Sequence, residues 1–261
     1  MPNETVIFEI NQSIATITLN RPQQLNAMDH SMMLAMRDAL TRAQDGAIRV
    51  VVIRGAGRAF MAGGDVATFA ARVDELTELL PSMIGLFHES IALIRGLKKP
   101  VIASVHGACA GGGLSLMLAC DLAIAAQNAK FTMAYANIGT SPDGGASFFL
   151  PRVVGARRAM ELMLLADRFD ADAALRLGIV NSVVADEALA AHTAAVAARL
   201  SIGPTHAYAN TKALIGASFE RDLTAQLHTE MLAFTDCATG ADFKEGVQAF
   251  VDKRTPTFNG T

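Results

Sequence analysis

Charged residues are scarce in this chain. Of its 261 residues, 18% are charged and 51% are hydrophobic, whereas a typical soluble domain has about 25% charged residues. This composition excludes intrinsic disorder, which requires low hydrophobicity and high net charge. The formal net charge is −3, and the sequence has no basic helix, so we do not expect nucleic acid as a partner.

Long apolar runs are also missing. A membrane-spanning helix needs about 20 consecutive apolar residues, and the richest stretch, 101–126, is interrupted by His106, the glycine run 111–113 and Asp121. We therefore expect no association with a membrane. No basic segment precedes an apolar block near the N terminus, so we expect no signal peptide. The three cysteines lack Cys-x-x-Cys spacing and predict neither disulfides nor a metal site. We expect a cytoplasmic protein that uses its apolar surplus in a subunit interface or an apolar pocket.

Short apolar segments alternate with helical patterns in the first part of the chain. The segments that predict strands are 6–10, 14–19, 50–54, 101–105 and 121–126. The segments that predict helices are 31–44, capped by Asp29, then 76–97, 111–118, 146–153, 155–166, 171–177, 187–200, 204–216, 219–235 and 242–252. This order predicts an α/β core in residues 1–200 and a helical region in residues 201–261. The order strand, strand, helix recurs without a fixed sequence period, so the residues alone do not predict a solenoid.

Two glycine clusters follow apolar segments and precede helical ones. They are Ala62-Gly63-Gly64-Asp65 and Ala110-Gly111-Gly112-Gly113. Glycine lets a ligand approach the backbone closely, and a helix N terminus offers free N–H groups. One N–H group from each cluster could form a two-donor oxyanion hole. Close packing of a helix against a strand is the alternative explanation. Neither cluster has the pattern of a nucleotide phosphate loop.

Further motifs lie in order along the chain, from about residue 5 to residue 260. They are Leu19-Asn20-Arg21-Pro22, Leu25-Asn26-Ala27, the segments 59–65, 99–103, 106–108, 131–139 and 177–180, and the tail 250–254. Together they resemble the crotonase superfamily, the enoyl-CoA hydratases and isomerases. The resemblance implies a spiral of ββα turns followed by C-terminal helices that form a homotrimer, often as a dimer of trimers.

The same resemblance implies a coenzyme A thioester as the substrate, with coenzyme A as part of that substrate and no separate cofactor. By their positions in the motifs, Gly64 and Gly112 donate the oxyanion N–H groups. The residues that would contact the substrate are Gln24, Leu25, Ala27, Asp65, Val66 and Tyr135, with Phe250 and Lys253 reaching the nucleotide end from a neighbouring subunit.

The acid and base groups of the hydratase branch are missing. Hydratases of this superfamily use two glutamates, and the motif positions fall on Ser115 and Tyr135 in this chain. Addition of water to a double bond needs one group that activates water and one that delivers a proton. Serine and tyrosine with ordinary pKa values are poor substitutes. We therefore do not expect efficient hydration.

One carboxylate remains at a suitable position. The segment 141–155, which contains Pro142-Asp143-Gly144, resembles the isomerase branch, closest to the isomerases of bacterial phenylacetate degradation and the Δ3-Δ2 enoyl-CoA isomerases. The resemblance implies that Asp143 acts as acid and base and shifts a double bond while an enolate is held by the oxyanion hole. Phe148, Phe149, Met133 and Tyr135 could supply an apolar surrounding for it. From the residues alone, Asp143 could instead cap the helix that follows.

Two other functions are open. The positions of His88 and Asp143 resemble those of the 4-chlorobenzoyl-CoA dehalogenases, in which the aspartate attacks an aryl ring and the histidine activates water. That branch has tryptophan at the position of Tyr135, and this chain contains no tryptophan. The chain could also bind acyl-CoA without catalysis. Of the remaining polar residues, we expect Asp65 to organise its turn and Asp121 to satisfy backbone groups.

Overall fold

The computed structural model describes residues 4–261, which form two β-sheets and eleven α-helices. The strands are β1 (Val6–Asn11), β2 (Ile14–Leu19), β3 (Val50–Gly55), β4 (Ala59–Met61), β5 (Val101–Val105), β6 (Ala108–Ala110), β7 (Leu122–Ala126), β8 (Lys130–Thr132), β9 (Phe169–Asp170) and β10 (Ser182–Val184). The helices are α1 (His30–Arg42), α2 (Val66–Ala71), α3 (Leu76–Gly96), α4 (Gly112–Ala119), α5 (Ala146–Val154), α6 (Ala156–Leu164), α7 (Ala171–Arg176), α8 (Leu189–Ser201), α9 (Thr205–Ala217), α10 (Leu223–Thr239) and α11 (Ala241–Val251). None of these helices combines the length and the hydropathy needed to span a membrane.

Along the chain, strands are added alternately to the two sheets. The large sheet has the order β1-β2-β3-β5-β7-β10 and the small sheet the order β4-β6-β8-β9. From β3 to β8, each strand of the large sheet is followed by one of the small sheet, in the pairs β3 and β4, β5 and β6, and β7 and β8. Neighbouring strands within these series are parallel. The chain therefore adds one strand to each sheet per turn, which confirms the spiral of ββα turns.

Strand β3 shows why the central strands are continuous apolar runs. Val51 and Ile53 face the main core, which also contains the buried side chains of α1 and α3. Val50 and Val52 face the opposite side of the sheet, where α8 covers them with Leu189 and other apolar residues. A strand that is buried on both faces loses the alternation of apolar and polar residues.

Helix boundaries follow local hydrogen bonds. Asp29 accepts a hydrogen bond from the Met32 N–H and caps α1, as predicted. The prediction of a helix over 219–235 places its start too early. Helix α10 begins at Leu223 because Asp222 accepts a hydrogen bond from the Ala225 N–H. The helical segment expected after the first glycine cluster is α2, whose bounds were not predicted. The short strands β4, β6, β8, β9 and β10, of two or three residues each, were not among the predicted strands.

Candidate active site

Asn26 fixes the loop that follows β2. Its side chain is fully buried, and its Nδ2 atom donates to the Ala59 carbonyl at 2.8 Å. Its Oδ1 atom accepts from the Arg21 N–H at 2.9 Å. Leu25 and Asn26 have φ angles of 52° and 56°, a left-handed conformation that is uncommon outside glycine. These bonds hold the loop so that the Leu25 carbonyl accepts from the Ala62 N–H at 3.0 Å, directly beside the first glycine cluster.

The first glycine cluster leaves the N–H group of Gly64 free. The Met28 N–H donates to the Gly63 carbonyl at 2.7 Å, and the Asp65 N–H donates to the Met28 carbonyl at 2.9 Å. These two bonds lie on either side of Gly64. Within residues 4–261, no backbone or side-chain acceptor is bonded to the Gly64 N–H. The backbone therefore leaves this donor available to a ligand.

Asp65 organises the turn at the start of α2. Its carboxylate accepts from the Thr68 N–H at 3.2 Å and pairs with the Arg21 guanidinium at 3.0 Å. Arg21 also pairs with Asp29 at 3.2 Å. Burial by itself raises the pKa of Asp65, but the hydrogen bonds from Arg21 and Thr68 outweigh it, and the net pKa lies below the usual value. These contacts fit the structural role that the sequence suggests for Asp65.

The second glycine cluster lies against the first. Gly111 precedes α4 with a φ angle of 49°, and Gly112 is the first residue of the helix. The N–H group of a first helical residue has no acceptor within the helix, and no other acceptor in the described chain binds that of Gly112. A Cβ atom built on Gly63 would lie 3.6 Å from the Gly112 nitrogen. The free N–H groups of Gly64 and Gly112 are thus on adjoining segments, as an oxyanion hole requires.

Close packing explains the neighbouring glycine. A Cβ atom on Gly113 would lie 2.2 Å from the Met61 carbonyl oxygen, which is backbone. A Cβ atom on Gly112 would instead meet the Met28 Cε atom at 2.3 Å, the flexible end of a side chain. Both explanations of the cluster are therefore needed, one for each glycine.

Ser115, Tyr135 and Asp143 form a hydrogen-bonded chain. Ser115 lies on α4 with its side chain fully buried, and its Oγ atom is 2.8 Å from the Tyr135 Oη atom. Tyr135 Oη donates to the Asp143 Oδ1 atom at 2.6 Å. Burial, and then the adjacent Asp143 charge, raise the pKa of Tyr135, so that its phenol remains protonated and donates. The two positions that hold glutamates in the hydratases are thus joined to Asp143.

The Asp143 side chain does not cap α5. Gly145 occupies the cap position, and no side chain caps the helix there. The main-chain carbonyl of Asp143 accepts from the Ala146 N–H at 3.1 Å. The helix-cap explanation is therefore wrong, and the carboxylate is directed to Tyr135.

Helix α3 lies between the Asp143 loop and Gly112. A Cβ atom on Gly144 would lie 2.2 Å from the Phe87 Cε1 atom, and one on Gly112 would lie 3.6 Å from the same atom. The next residue, His88, accepts a hydrogen bond from the Gly144 N–H at its Nε2 atom, at 3.3 Å. Sequence reasoning did not find Phe87, because a buried phenylalanine on a helix has the pattern of an ordinary core residue.

The remaining predicted contacts divide into two groups. Gln24 and Ala27 belong to the loop fixed by Asn26, and Val66 begins α2 beside Gly64, with 48% of its surface exposed. Phe250 and Lys253 lie at the end of α11, where Phe250 is 86% exposed. Within residues 4–261 no described hydrogen bond or ion pair joins Phe250 or Lys253 to the site. The structure therefore brings together the first group but not these two, and their role stays a prediction.

The arrangement agrees with the comparison with known families. A family model described as enoyl-CoA hydratase/isomerase matches residues 9–261. The chain belongs to this family, within the crotonase superfamily. The resemblance found in the sequence motifs is confirmed.

The relatives that are similar to this chain are named for different reactions. The chain is 40% identical to a Rhodobacter capsulatus protein named "Probable enoyl-CoA hydratase", over 100% of both chains. It is 36% identical to the 1,2-epoxyphenylacetyl-CoA isomerase of Escherichia coli, over 98% of this chain and 99% of the relative. A crystal structure of an enoyl-CoA hydratase from Polaromonas sp. JS666 superposes with a TM-score of 0.93 at 36% identity, covering 97% of this chain and 99% of the other. Since both reactions occur among these names, the choice between them depends on the site.

Proposed function

We propose that this member of the enoyl-CoA hydratase/isomerase family is an isomerase that shifts a double bond, or rearranges a ring epoxide, in an acyl-CoA thioester. The observation that carries the proposal is the hydrogen-bonded chain of Ser115, Tyr135 and Asp143. It supplies one carboxylate that is bonded directly to the Tyr135 hydroxyl and, through it, linked to the Ser115 hydroxyl, the two groups that occupy the hydratase glutamate positions. One carboxylate is sufficient for proton transfer between two carbons of the same substrate.

The proposed reaction runs through an enolate. The N–H groups of Gly64 and Gly112 hold the thioester oxygen, and Asp143 removes a proton from the carbon beside the carbonyl. The negative charge that develops on the oxygen is stabilised by the two donors, each worth about 2.7–4 kcal/mol in comparable sites. Asp143 then returns the proton two carbons further along the chain, and the double bond moves. No water is consumed.

Hydration is disfavoured by the same contacts. It would require one group to activate water and another to protonate the substrate. The hydroxyl groups of Ser115 and Tyr135 are hydrogen-bonded to each other, and the Tyr135 hydroxyl also donates a hydrogen bond to Asp143. Burial raises the pKa of Tyr135 above its usual value, which makes the phenol a weaker acid than in water.

Substitution of Asp143 tests the proposal. We expect Asp143→Asn to fold normally and to lower the isomerase rate by about 100-fold or more, because the amide cannot accept the proton. The rate is measured with a panel of 3-enoyl, 2-enoyl and phenylacetate-derived CoA thioesters, whose products are identified by mass and absorbance. Asp172→Asn, at an exposed position on α7, is the matched control. Near-normal turnover by Asp143→Asn, or rapid addition of water by the wild type, would refute the isomerase assignment.

The position of His88 keeps a dehalogenase-type hydrolase as the second candidate, because its contact with Gly144 places it next to Asp143. In that reaction an Asp143 carboxylate oxygen would attack the halogen-bearing ring carbon, the carbon–halogen bond would break and release halide, and water would then cleave the aryl ester and restore the carboxylate. A single turnover in heavy-oxygen water distinguishes the two. Label in the Asp143 carboxylate supports the hydrolase, whereas an isomerase exchanges only protons. Binding of acyl-CoA with neither outcome would indicate a non-catalytic protein.

We also propose that residues 1–200 bind and convert the acyl-CoA and that residues 201–261 assemble a homotrimer or a dimer of trimers. Coenzyme A would follow the backbone near Gln24, Leu25, Ala27 and Val66. Phe250 and Lys253 would reach it from a neighbouring subunit. The exposed apolar side chains of α10 and α11 support this assembly.

A further inference from the structure

The two oxygens of the Asp143 carboxylate have different surroundings. Oδ1 accepts the short hydrogen bond from Tyr135 Oη at 2.6 Å. Oδ2 has no hydrogen-bond donor or ion-pair partner among residues 4–261. A carboxylate that is held at one oxygen cannot rotate freely, so the unheld oxygen keeps a constant direction.

The hydrogen bonds also have a defined direction. The phenol has a single proton, which it donates to the charged acceptor Asp143. In the contact between Ser115 and Tyr135, at 2.8 Å, the serine must therefore be the donor. Each bond in such a chain polarises the next, which strengthens the bond to the carboxylate. Ser115 has the Gly111 carbonyl at 3.3 Å as an alternative acceptor, so its rotamer is also confined.

The backbone around the carboxylate is fixed as well. Gly144 and Gly145 follow Asp143 with φ angles of 59° and 79°. The Phe87 ring lies against Gly144, and His88 accepts the Gly144 N–H. The position of the loop is thus set by α3, while the orientation of the side chain is set by Tyr135.

We propose that Tyr135 is a positioning residue which, supported by Ser115, immobilises Asp143 and leaves Oδ2 alone to move the proton. The inference rests on the proposed isomerase function. In the first step the C–H bond beside the thioester breaks, its proton bonds to Oδ2, and the electron pair passes to the enolate oxygen. In the second step the Oδ2–H bond breaks, the proton bonds to the far carbon of the former double bond, and the enolate collapses. Because one atom takes and returns the proton, in a fraction of turnovers the proton returns to the same substrate molecule from which it came.

The test compares Tyr135→Phe with Tyr208→Phe. These are the two tyrosines of the chain, and Tyr208 lies on α9, outside the proposed site. We expect Tyr135→Phe to lower kcat by about 10–100-fold and to change KM by less than about 3-fold, because orientation is lost and binding is retained. Ser115→Ala removes the outer bond only and should lower kcat less, by about 3–10-fold. Tyr208→Phe should leave both constants unchanged.

Isotope transfer supplies a readout that a purely structural role would not change. A 3-enoyl thioester carrying two deuterium atoms beside the carbonyl is converted in ordinary water, and the product is analysed by mass spectrometry. The wild type should give a share of product that retains the full mass of the substrate. Tyr135→Phe should give a smaller share, because the freed carboxylate exchanges its proton with water more often. Circular dichroism and thermal unfolding establish that each variant is folded.

The outcomes separate the inference from the proposed function. An active wild type with unchanged kcat and isotope transfer in Tyr135→Phe refutes the inference and leaves the isomerase function intact. A higher KM at unchanged kcat also refutes it, and would make Tyr135 a substrate-binding residue. An active wild type that transfers no deuterium overturns the single-oxygen route. Failure of the wild type to isomerise any thioester refutes both. If Tyr135→Phe does not fold, the effects of Ser115→Ala on kcat and on isotope transfer decide.

Discussion

The adjacent glycines Gly112 and Gly113 of the second cluster have different surroundings. Gly112 presents its N–H group at the start of α4, and a Cβ atom there would clash only with the flexible end of the Met28 side chain, since the Phe87 ring lies at 3.6 Å, an ordinary contact distance. Gly113 allows the helix to approach the backbone of Met61. The distinction is made by what surrounds each residue, since both lie in the same Gly-Gly-Gly sequence.

These two glycines predict opposite results for the same substitution. Gly112→Ala should change stability little and lower kcat/KM by about 10-fold or more, because a methyl group would crowd the proposed oxyanion donor. Gly113→Ala should destabilise the fold by about 1–3 kcal/mol, because the backbone must shift. Urea unfolding and steady-state kinetics measure the two effects. Equal stability of the two variants would contradict this division.

The Asp65 carboxylate predicts a pH dependence of stability. Its pKa is lower in the folded protein than its usual value of 3.8, so the unfolded chain binds the proton more tightly. The stabilisation is therefore complete above the unfolded pKa and is lost as the pH falls through the folded one. We expect the difference in unfolding free energy between wild type and Asp65→Asn to be constant near neutral pH and to shrink toward about pH 3. Urea unfolding at several pH values measures it, and a difference that grows in acid would exclude this account.

At the scale of elements, helix α9 is anchored to the core by one buried lysine. Lys212 Nζ donates to the Ile94 carbonyl at 2.7 Å, at the end of α3, and pairs with Asp121 at 2.8 Å. Asp121 in turn pairs with Arg95 at 3.0 Å and accepts from the Val101 N–H at 2.9 Å. The expectation that Asp121 satisfies backbone groups is confirmed. The same carboxylate thus joins α3, β5 and α9.

Removal of this anchor should weaken the fold. Lys212→Met leaves the Ile94 carbonyl without its donor, and we expect a loss of about 1–3 kcal/mol in unfolding free energy. Asp121 keeps its contacts with Arg95 and Val101, which limits the cost. Thermal and urea unfolding provide the measurement. Lys244→Met, at an exposed position on α11, is the control and should have no effect. A Lys212 variant as stable as this control would contradict the anchoring role.

At the scale of the whole molecule, many of the exposed apolar side chains lie on the C-terminal helices. On α10, Leu223, Leu227, Met231 and Phe234 are 73%, 54%, 55% and 68% exposed. Their spacing places them on one face of the helix. A contiguous apolar face of this kind is typical of a protein interface, which agrees with the proposed trimer.

This face predicts the oligomeric state. Light scattering after gel filtration should give three times the 27.5 kDa mass of the chain, or a multiple of that. The double variant Leu227→Asp and Met231→Asp should be a monomer, because charges would be buried without partners. Ile10→Asp, at an exposed position of β1, should retain the assembly. A monomeric wild type would exclude the proposed interface.

The sequence by itself determined the family, the central strands, most of the helices and the position of one candidate carboxylate. These features are encoded locally, by apolar runs, helix caps and motifs of fixed order. It did not reveal the short strands, because segments of two or three residues form only when they pair with a neighbouring turn of the spiral. Nor did it exclude a helix-capping role for the Asp143 side chain, which the structure does. Ser115 lies 20 residues before Tyr135, which lies eight residues before Asp143. Only the tertiary structure, by packing α3, α4 and the Asp143 loop together, showed that the Ser115 and Tyr135 hydroxyl groups form a chain that ends on this carboxylate.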